Sequence, residues 1–262
     1  MSFSCPELNL DEMLQTAKNY GYEGIEPRIG EGHKHGIEPG LNQSRLDDIK
    51  RRAEKSGVEI CCLAAPCYFS NPGAAPENIE LAKQVLDLAR GINCRAVRVF
   101  GGAIPEGADR EIAAESIVHS LASLSEYAAE RGAVVCMETH DDWSDPAHVA
   151  DIMMRINSPS IAVNWDIMHP VLWAGCSIEE SFRALAPWIR HVHAHDGIND
   201  QGHAVFKHIG TGCVDHKAAV GLLKNMGYNG FISGEWIGWE PYEVHLPAEI
   251  AVLRSYEDQT EI

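Results

Sequence analysis

Three histidines stand at alternate positions in the stretch IRHVHAHDG, Ile189 to Gly197: His191, His193 and His195, with Asp196 directly after. On a β-strand alternate side chains share a face, so three titratable rings would point the same way. Either that face is solvated or one ring holds a ligand. Three other apolar runs stop on a carboxylate: VVCMETH at Glu138, AVNWDIMH at Asp166 and FISGEW at Glu235. One ionisable residue at a strand end needs no explanation, because strand ends meet solvent. Four on consecutive runs, His193 included, are harder to assign to solvation. Carboxylates gathered that closely cannot all stay ionised without a cation. Three carboxylates and one imidazole form a hard, oxygen-rich set that suits Mn²⁺, Mg²⁺ or Co²⁺ better than a thiolate-type zinc site. Four such ligands on an octahedral ion leave two positions for substrate oxygens. His191 lies deeper and reads as a supporting or core histidine. His195 and Asp196 fall at a loop mouth, where substrate contact and solvation are both open.

These residues need a scaffold that brings strand ends together. Strand-like runs occur near Phe3 and at Gly24–Pro27, Glu59–Ala65, Ala96–Phe100, Ala133–Glu138, Ile161–Asp166, Ile189–His195 and Gly230–Trp236. Helical patterns separate them: Leu10–Tyr20, Gln43–Ser56, Pro76–Arg90, Asp109–Arg131, Asp145–Ile156, Ser177–Leu185, Asp215–Met226 and Pro247–Tyr256. Several of these open on an acidic or hydroxyl residue and close at glycine, as at Gly21, Gly57 and Gly132. Short, almost wholly apolar strands alternating with helices imply a parallel sheet covered on both faces. The expectation is one α/β domain over residues 1–262, a (β/α)8 barrel, with an open doubly wound sheet as the alternative. No Gly-x-Gly-x-x-Gly follows the first strand, which argues against a dinucleotide site. In a barrel of this kind the chemistry lies at the C-terminal ends of the strands.

Composition narrows the partners. The 262 residues carry 38 acidic against 21 basic side chains, a net charge of −17. Such a surface repels phosphate backbones. The longest basic cluster, Lys50-Arg51-Arg52, sits in an amphipathic helical pattern, so no nucleic-acid partner is expected. The eight cysteines show no paired zinc spacing. No leader is evident, nor an apolar run of about 18 residues. A reduced, soluble, cytoplasmic protein without membrane contact is therefore expected, with homo-oligomerisation left open. There is no Gly-x-Ser-x-Gly and no Cys–His pairing in sequence context, so nucleophilic hydrolysis has no support.

The motifs GYEGIEP, METH, WDIMHPVLWAG, HVHAHDG, IGTG and GYNGFISGEW together resemble the xylose isomerase-like TIM-barrel superfamily, from about Asp11 to Glu235. That group includes sugar isomerases, ketose 3-epimerases, inosose and 3-dehydroshikimate dehydratases and AP-endonuclease relatives. The resemblance implies one divalent metal per chain on Glu138, Asp166, His193 and Glu235, with Mn²⁺ expected first and Mg²⁺, Co²⁺ or Zn²⁺ as alternatives. It implies that Glu138 and Glu235 also move the proton, and that His169 of the Asp-x-x-His pattern touches substrate, with a catalytic role in reserve. The chain departs from the DNA-repair members: strands three and four end in Ala65 and Phe100–Gly101 rather than histidines, and AVFKHIGTG lacks an Asp-x-His. It also departs from the ketose 3-epimerases, having no arginine between Asp196 and Asp215.

Other residues after strand ends are candidates for substrate contact. Glu26 could bind a hydroxyl, and Arg28 an anion or a surface carboxylate. His140 follows Glu138 by two. Trp143, Trp173, Trp236 and Trp239, with Tyr68 and Phe69, could stack on a sugar face or pack helices. Lys207 and His208 precede the IGTG turn. The expected function is metal-dependent isomerisation or epimerisation of a ketose or related polyhydroxylated carbonyl compound through an enediolate. The alternatives are a dehydratase or lyase sharing the first step, and a non-catalytic sugar-binding barrel.

Overall fold

Runs of branched residues such as VVCME and IAVNWD become short strands buried on both faces. The computed structural model describes residues 1–259, so the last three positions of the expected domain lie outside the described residues. Its strands are β1 (Gly24–Ile25), β2 (Glu59–Ile60), β3 (Leu63–Tyr68), β4 (Ala96–Phe100) and β5 (Val134–Glu138), followed by β6 (Ile161–Asp166), β7 (Ile189–Ala194), β8 (Asp196–Asp200), β9 (His203–Lys207) and β10 (Ile232–Gly234). Six of them form one curled parallel sheet in the order β3-β4-β5-β6-β7-β10. The parallel pair β1-β2 continues it through a bridge between Arg28 and Ala64. Between β1 and β10 the first residues complete the wall: Met1 N donates to Gly234 O at 2.9 Å and Ser2 N to Glu26 O at 2.9 Å. The result is a (β/α) barrel whose helices cover the outside.

Alternation along the strands separates two environments. Val97, Val99, Val135, Met137, Val163, Trp165 and Val192 face outward into the main core with the helices. The inner face carries Ala96–Arg98–Phe100, Cys136–Glu138, Ala162–Asn164–Asp166 and His191–His193–His195. At its floor Cys62, Ala96, Cys136 and Ala162 form a separate small-residue cluster. The inner wall therefore changes from small to ionisable toward the C-terminal strand ends.

The structure corrects several element boundaries. The strand expected near Phe3 is a 3₁₀ turn, Ser2–Ser4, closed by Cys5 N donating to Ser2 O; Pro6 follows and has no N–H for a ladder. The run Glu59–Ala65 breaks after Ile60 and resumes from Leu63 to Tyr68. Met168–Ala174 is helical, and Asp196–Lys207 is an antiparallel hairpin; neither was expected. The last helix runs Tyr242–Gln259 with Pro247 inside it, because it is seeded at Pro241, whose carbonyl accepts from Val244 N and His245 N.

Candidate metal centre

Glu138 and Asp166 are the last residues of β5 and β6, and His193 is paired with Asp166 across β6 and β7. Glu235 follows β10 directly. Parallel pairing thus brings four sequence positions spread over 98 residues (235 − 138 + 1) to one rim. Each offers a ligand atom within 4.8 Å of the others, and all four residues are buried. His193 Nδ1 lies 2.7 Å from Glu138 Oε1 and 2.9 Å from Glu235 Oε2. A ring nitrogen carries at most one hydrogen, which cannot serve both oxygens well; one cation between them can. Glu138 Oε2 is buried with no aligned hydrogen-bond donor. Three carboxylates and one imidazole, with one carboxylate oxygen lacking an aligned donor, fit a hard divalent ion.

Below the four lies a supporting layer. His193 Nε2 donates to Glu26 at 3.0 Å, and His191 Nε2 donates to the other Glu26 oxygen at 2.8 Å. Glu26, expected at substrate hydroxyls, is instead sealed beneath His193 with both oxygens engaged. A carboxylate behind a ligating histidine fixes its ring and leaves the opposite nitrogen free to ligate. His191 sits in this layer, where Ser233 Oγ also approaches it at 3.1 Å. His195, expected to touch substrate, places Nε2 2.7 Å from Asp166 Oδ2, while Asp166 Oδ1 accepts from the backbone N–H groups of Met168 and His169. Asp166 is thereby oriented from both sides.

Burial opposes every charge here, but neighbours outweigh it. Imidazole partners hold Glu26, Asp166 and Glu235 below the usual carboxylate range, and the carboxylates raise His193 and His195. Toward the mouth, burial lowers His169 to about 4. His140 resists burial because Asp141, 2.9 Å away, and Glu138 raise it to about 9. The two rings lie 4.1 Å apart, one neutral and one cationic near neutral pH.

Two of the expected substrate-stacking rings are turned away from the mouth. Trp143 is buried, its indole N–H shared between Ser70 Oγ at 2.8 Å and Gly102 O at 2.9 Å. Its ring fills the space a Cβ at Gly101 would need, which is why glycine stands there. Trp236 packs with Ile209 and Leu246 and against His245, also out of reach. Trp239 touches Phe206, which meets His195 at 5.5 Å, so that side of the mouth does carry an aromatic wall. Sequence reading missed Arg98 and Asn164, both fully buried on the inner face. The signal for Arg98 was present: one cation in the middle of the apolar strand AVRVF.

Three buried carboxylates and a histidine thus stand together at the ends of the last four parallel strands of the barrel. Residues 14–256 match the family described as xylose isomerase-like TIM barrel, and the chain belongs to it. A putative hydroxypyruvate isomerase from Danio rerio is 23% identical over 217 residues, covering 75% of this chain and 76% of that one. A D-tagatose 3-epimerase-like protein superposes with a TM-score of 0.79 at 19% identity, over 99% of this chain and 96% of the other. A probable 3-DHS dehydratase from Bacillus anthracis gives 0.76 at 20% identity, over 97% of each chain. The neighbours thus span isomerases, epimerases and dehydratases. No helix among the described residues is long and apolar enough to cross a membrane.

Proposed function

We propose that this chain is a divalent-metal-dependent isomerase or epimerase of a ketose or related polyhydroxylated carbonyl compound. One observation carries the reading: Glu138, Asp166, His193 and Glu235 converge, buried, with their ligand atoms within 4.8 Å of one another and one Glu138 oxygen left without an aligned donor. The hydroxypyruvate isomerase and tagatose epimerase-like relatives support the reaction class. Mn²⁺ suits the oxygen-rich donor set best. When bound, such an ion supplies Lewis acidity toward a carbonyl and its neighbouring hydroxyl oxygen. The remaining work falls to the chain. One of Glu138 and Glu235 removes the proton beside the carbonyl, and the other returns it to the enediolate. His140 donates to a substrate oxygen, and neutral His169 accepts from a substrate hydroxyl. Phe206 and Trp239 limit water on one side.

The test is a screen of ketoses, inososes and 3-keto sugars in deuterated water with added Mn²⁺. The expected product keeps the substrate's composition but gains one deuterium next to the carbonyl. Loss of water instead, the chemistry of the dehydratase neighbour, would move the assignment to a lyase. Absence of exchange with every compound, in protein that binds the sugars, would make it a binding barrel.

A further inference from the structure

Arg98 is fully buried on the inner face of β4, between Ala64 of β3 and Cys136 of β5 in register. Its neighbours along the strand are Val97 and Val99. Nothing in that packing calls for a cation, and burying a charge is costly unless it is paired. The pairing is above it: Nε lies 3.2 Å from Glu138 Oε2, an ion pair without aligned hydrogen-bond geometry. The guanidinium is laid over the Phe100 ring, 4.0 Å from its centroid, which fixes where the charge sits. Phe100 is held in turn by Tyr68, stacked at 5.0 Å. The other guanidinium N–H groups are sealed from solvent and have no acceptor, so Arg98 cannot reach a substrate. Its one ion-pair contact is Glu138, while Glu235 and Glu26 feel its charge from further away.

Glu138 is consequently held at both oxygens, by His193 at Oε1 and by Arg98 at Oε2. Glu235 also contacts His193, but has no ion pair with an arginine among the described residues. Resting on the metal-centre reading above, we infer that Arg98 is a positioning residue, which fixes the Glu138 carboxylate in the place where it ligates the cation and exchanges a proton with substrate. The two glutamates are then inequivalent: Glu138 is held rigidly and Glu235 is freer to swing.

The test uses Arg98→Gln and Arg98→Lys in the full chain, with three physical readouts beside the kinetics of turnover. The first is Mn²⁺ affinity by calorimetry. Loss of a residue supporting a metal ligand typically weakens affinity about 10–100-fold, and that loss is expected for Arg98→Gln. Arg98→Lys restores the charge beside Oε2 and should recover Mn²⁺ affinity to within about threefold, while kcat stays about tenfold low with KM little changed. The fixed planar group is what lysine lacks. The second readout is thermal unfolding of the metal-free proteins. Wild-type Mn²⁺ affinity in Arg98→Gln, with only the unfolding temperature lowered, would overturn the proposal in favour of bare charge balance. If Arg98→Gln does not fold, Arg98→Lys decides, because wild-type kcat in that variant contradicts a positioning role. The third readout is a crystal structure of each metal-free protein. Glu138 should leave His193 Nδ1 in the glutamine variant, and its staying in place overturns the inference. That comparison needs neither metal nor substrate, so failure of the metal reading is visible separately, as a wild-type chain that does not take up Mn²⁺.

Discussion

Asp196 and Glu138 are both fully buried carboxylates near the barrel mouth, yet their surroundings are opposite. Asp196 Oδ1 accepts from Gly197 N at 2.8 Å and Val214 N at 3.2 Å, and Oδ2 accepts from Gly210 N and Gly212 N, each at 2.9 Å. A Cβ on Gly212 would stand 2.2 Å from Asp196 Oδ1, so the IGTG turn needs glycine to wrap this closely. Four backbone donors saturate the group, and it holds a loop. Glu138 shares one ring nitrogen with Glu235 and leaves its second oxygen without an aligned donor. A buried acceptor left short of donors is costly. The cluster keeps one, Glu138 Oε2, which is tolerable where a cation completes the set. Saturation marks a structural carboxylate; deficit marks a site.

The comparison can be broken at either carboxylate. The largest effect is expected at the deficient one. Glu138→Gln and Glu235→Gln keep volume and an oxygen ligand but lose the base, so turnover should fall on the order of 10²–10⁴ and stay low at saturating metal. Recovery of near-full turnover on adding metal would reduce that glutamate to a ligand. A smaller effect, on a different observable, is expected at the saturated carboxylate. Asp196→Ala strands four backbone donors and should cost about 2–4 kcal/mol of folding stability, measured by urea unfolding, with Mn²⁺ affinity changed less than about threefold. A large loss of affinity there would mean the two regions are not separable.

The smallest effect concerns pH. Buried His35 accepts from Ile37 N at Nδ1 and donates from Nε2 to Arg28 O, an arrangement only the neutral ring can keep. Burial lowers it to about 4. The unfolded chain therefore takes up a proton near pH 6.5 that the folded chain refuses until about 4. Stability should fall as pH drops through that window, by at most on the order of 3 kcal/mol from this group. His35→Gln should flatten that part of the profile; an unchanged slope would assign it to other histidines.

Much of this was legible in the chain. Helices with local signals read closely: Asn9 with Glu12 opens Leu10–Tyr20 and Gly21 closes it. The ends of β5 and β6 read because apolar runs stop on Glu138 and Asp166. What failed depended on partners distant in sequence. Glu26 meets His193 across 167 positions, and no local pattern reveals which side of β1 faces that ring. Trp143 looked like a stacking ring because Ser70 and Gly102, its acceptors, lie in other loops. The hairpin Asp196–Lys207 was hidden by its turn, Gln201-Gly202. Both residues have positive φ, as a type I′ turn needs, but glutamine is not the usual first residue.

The most direct test of the central claim is a Mn²⁺ titration of purified, chelator-treated protein against the double variant Asp166→Asn with His193→Ala. One ion per wild-type chain is expected, with a rise in unfolding temperature on loading because the ion binds the native state alone, and neither effect in the variant. One ion per chain retained by the double variant would contradict that claim.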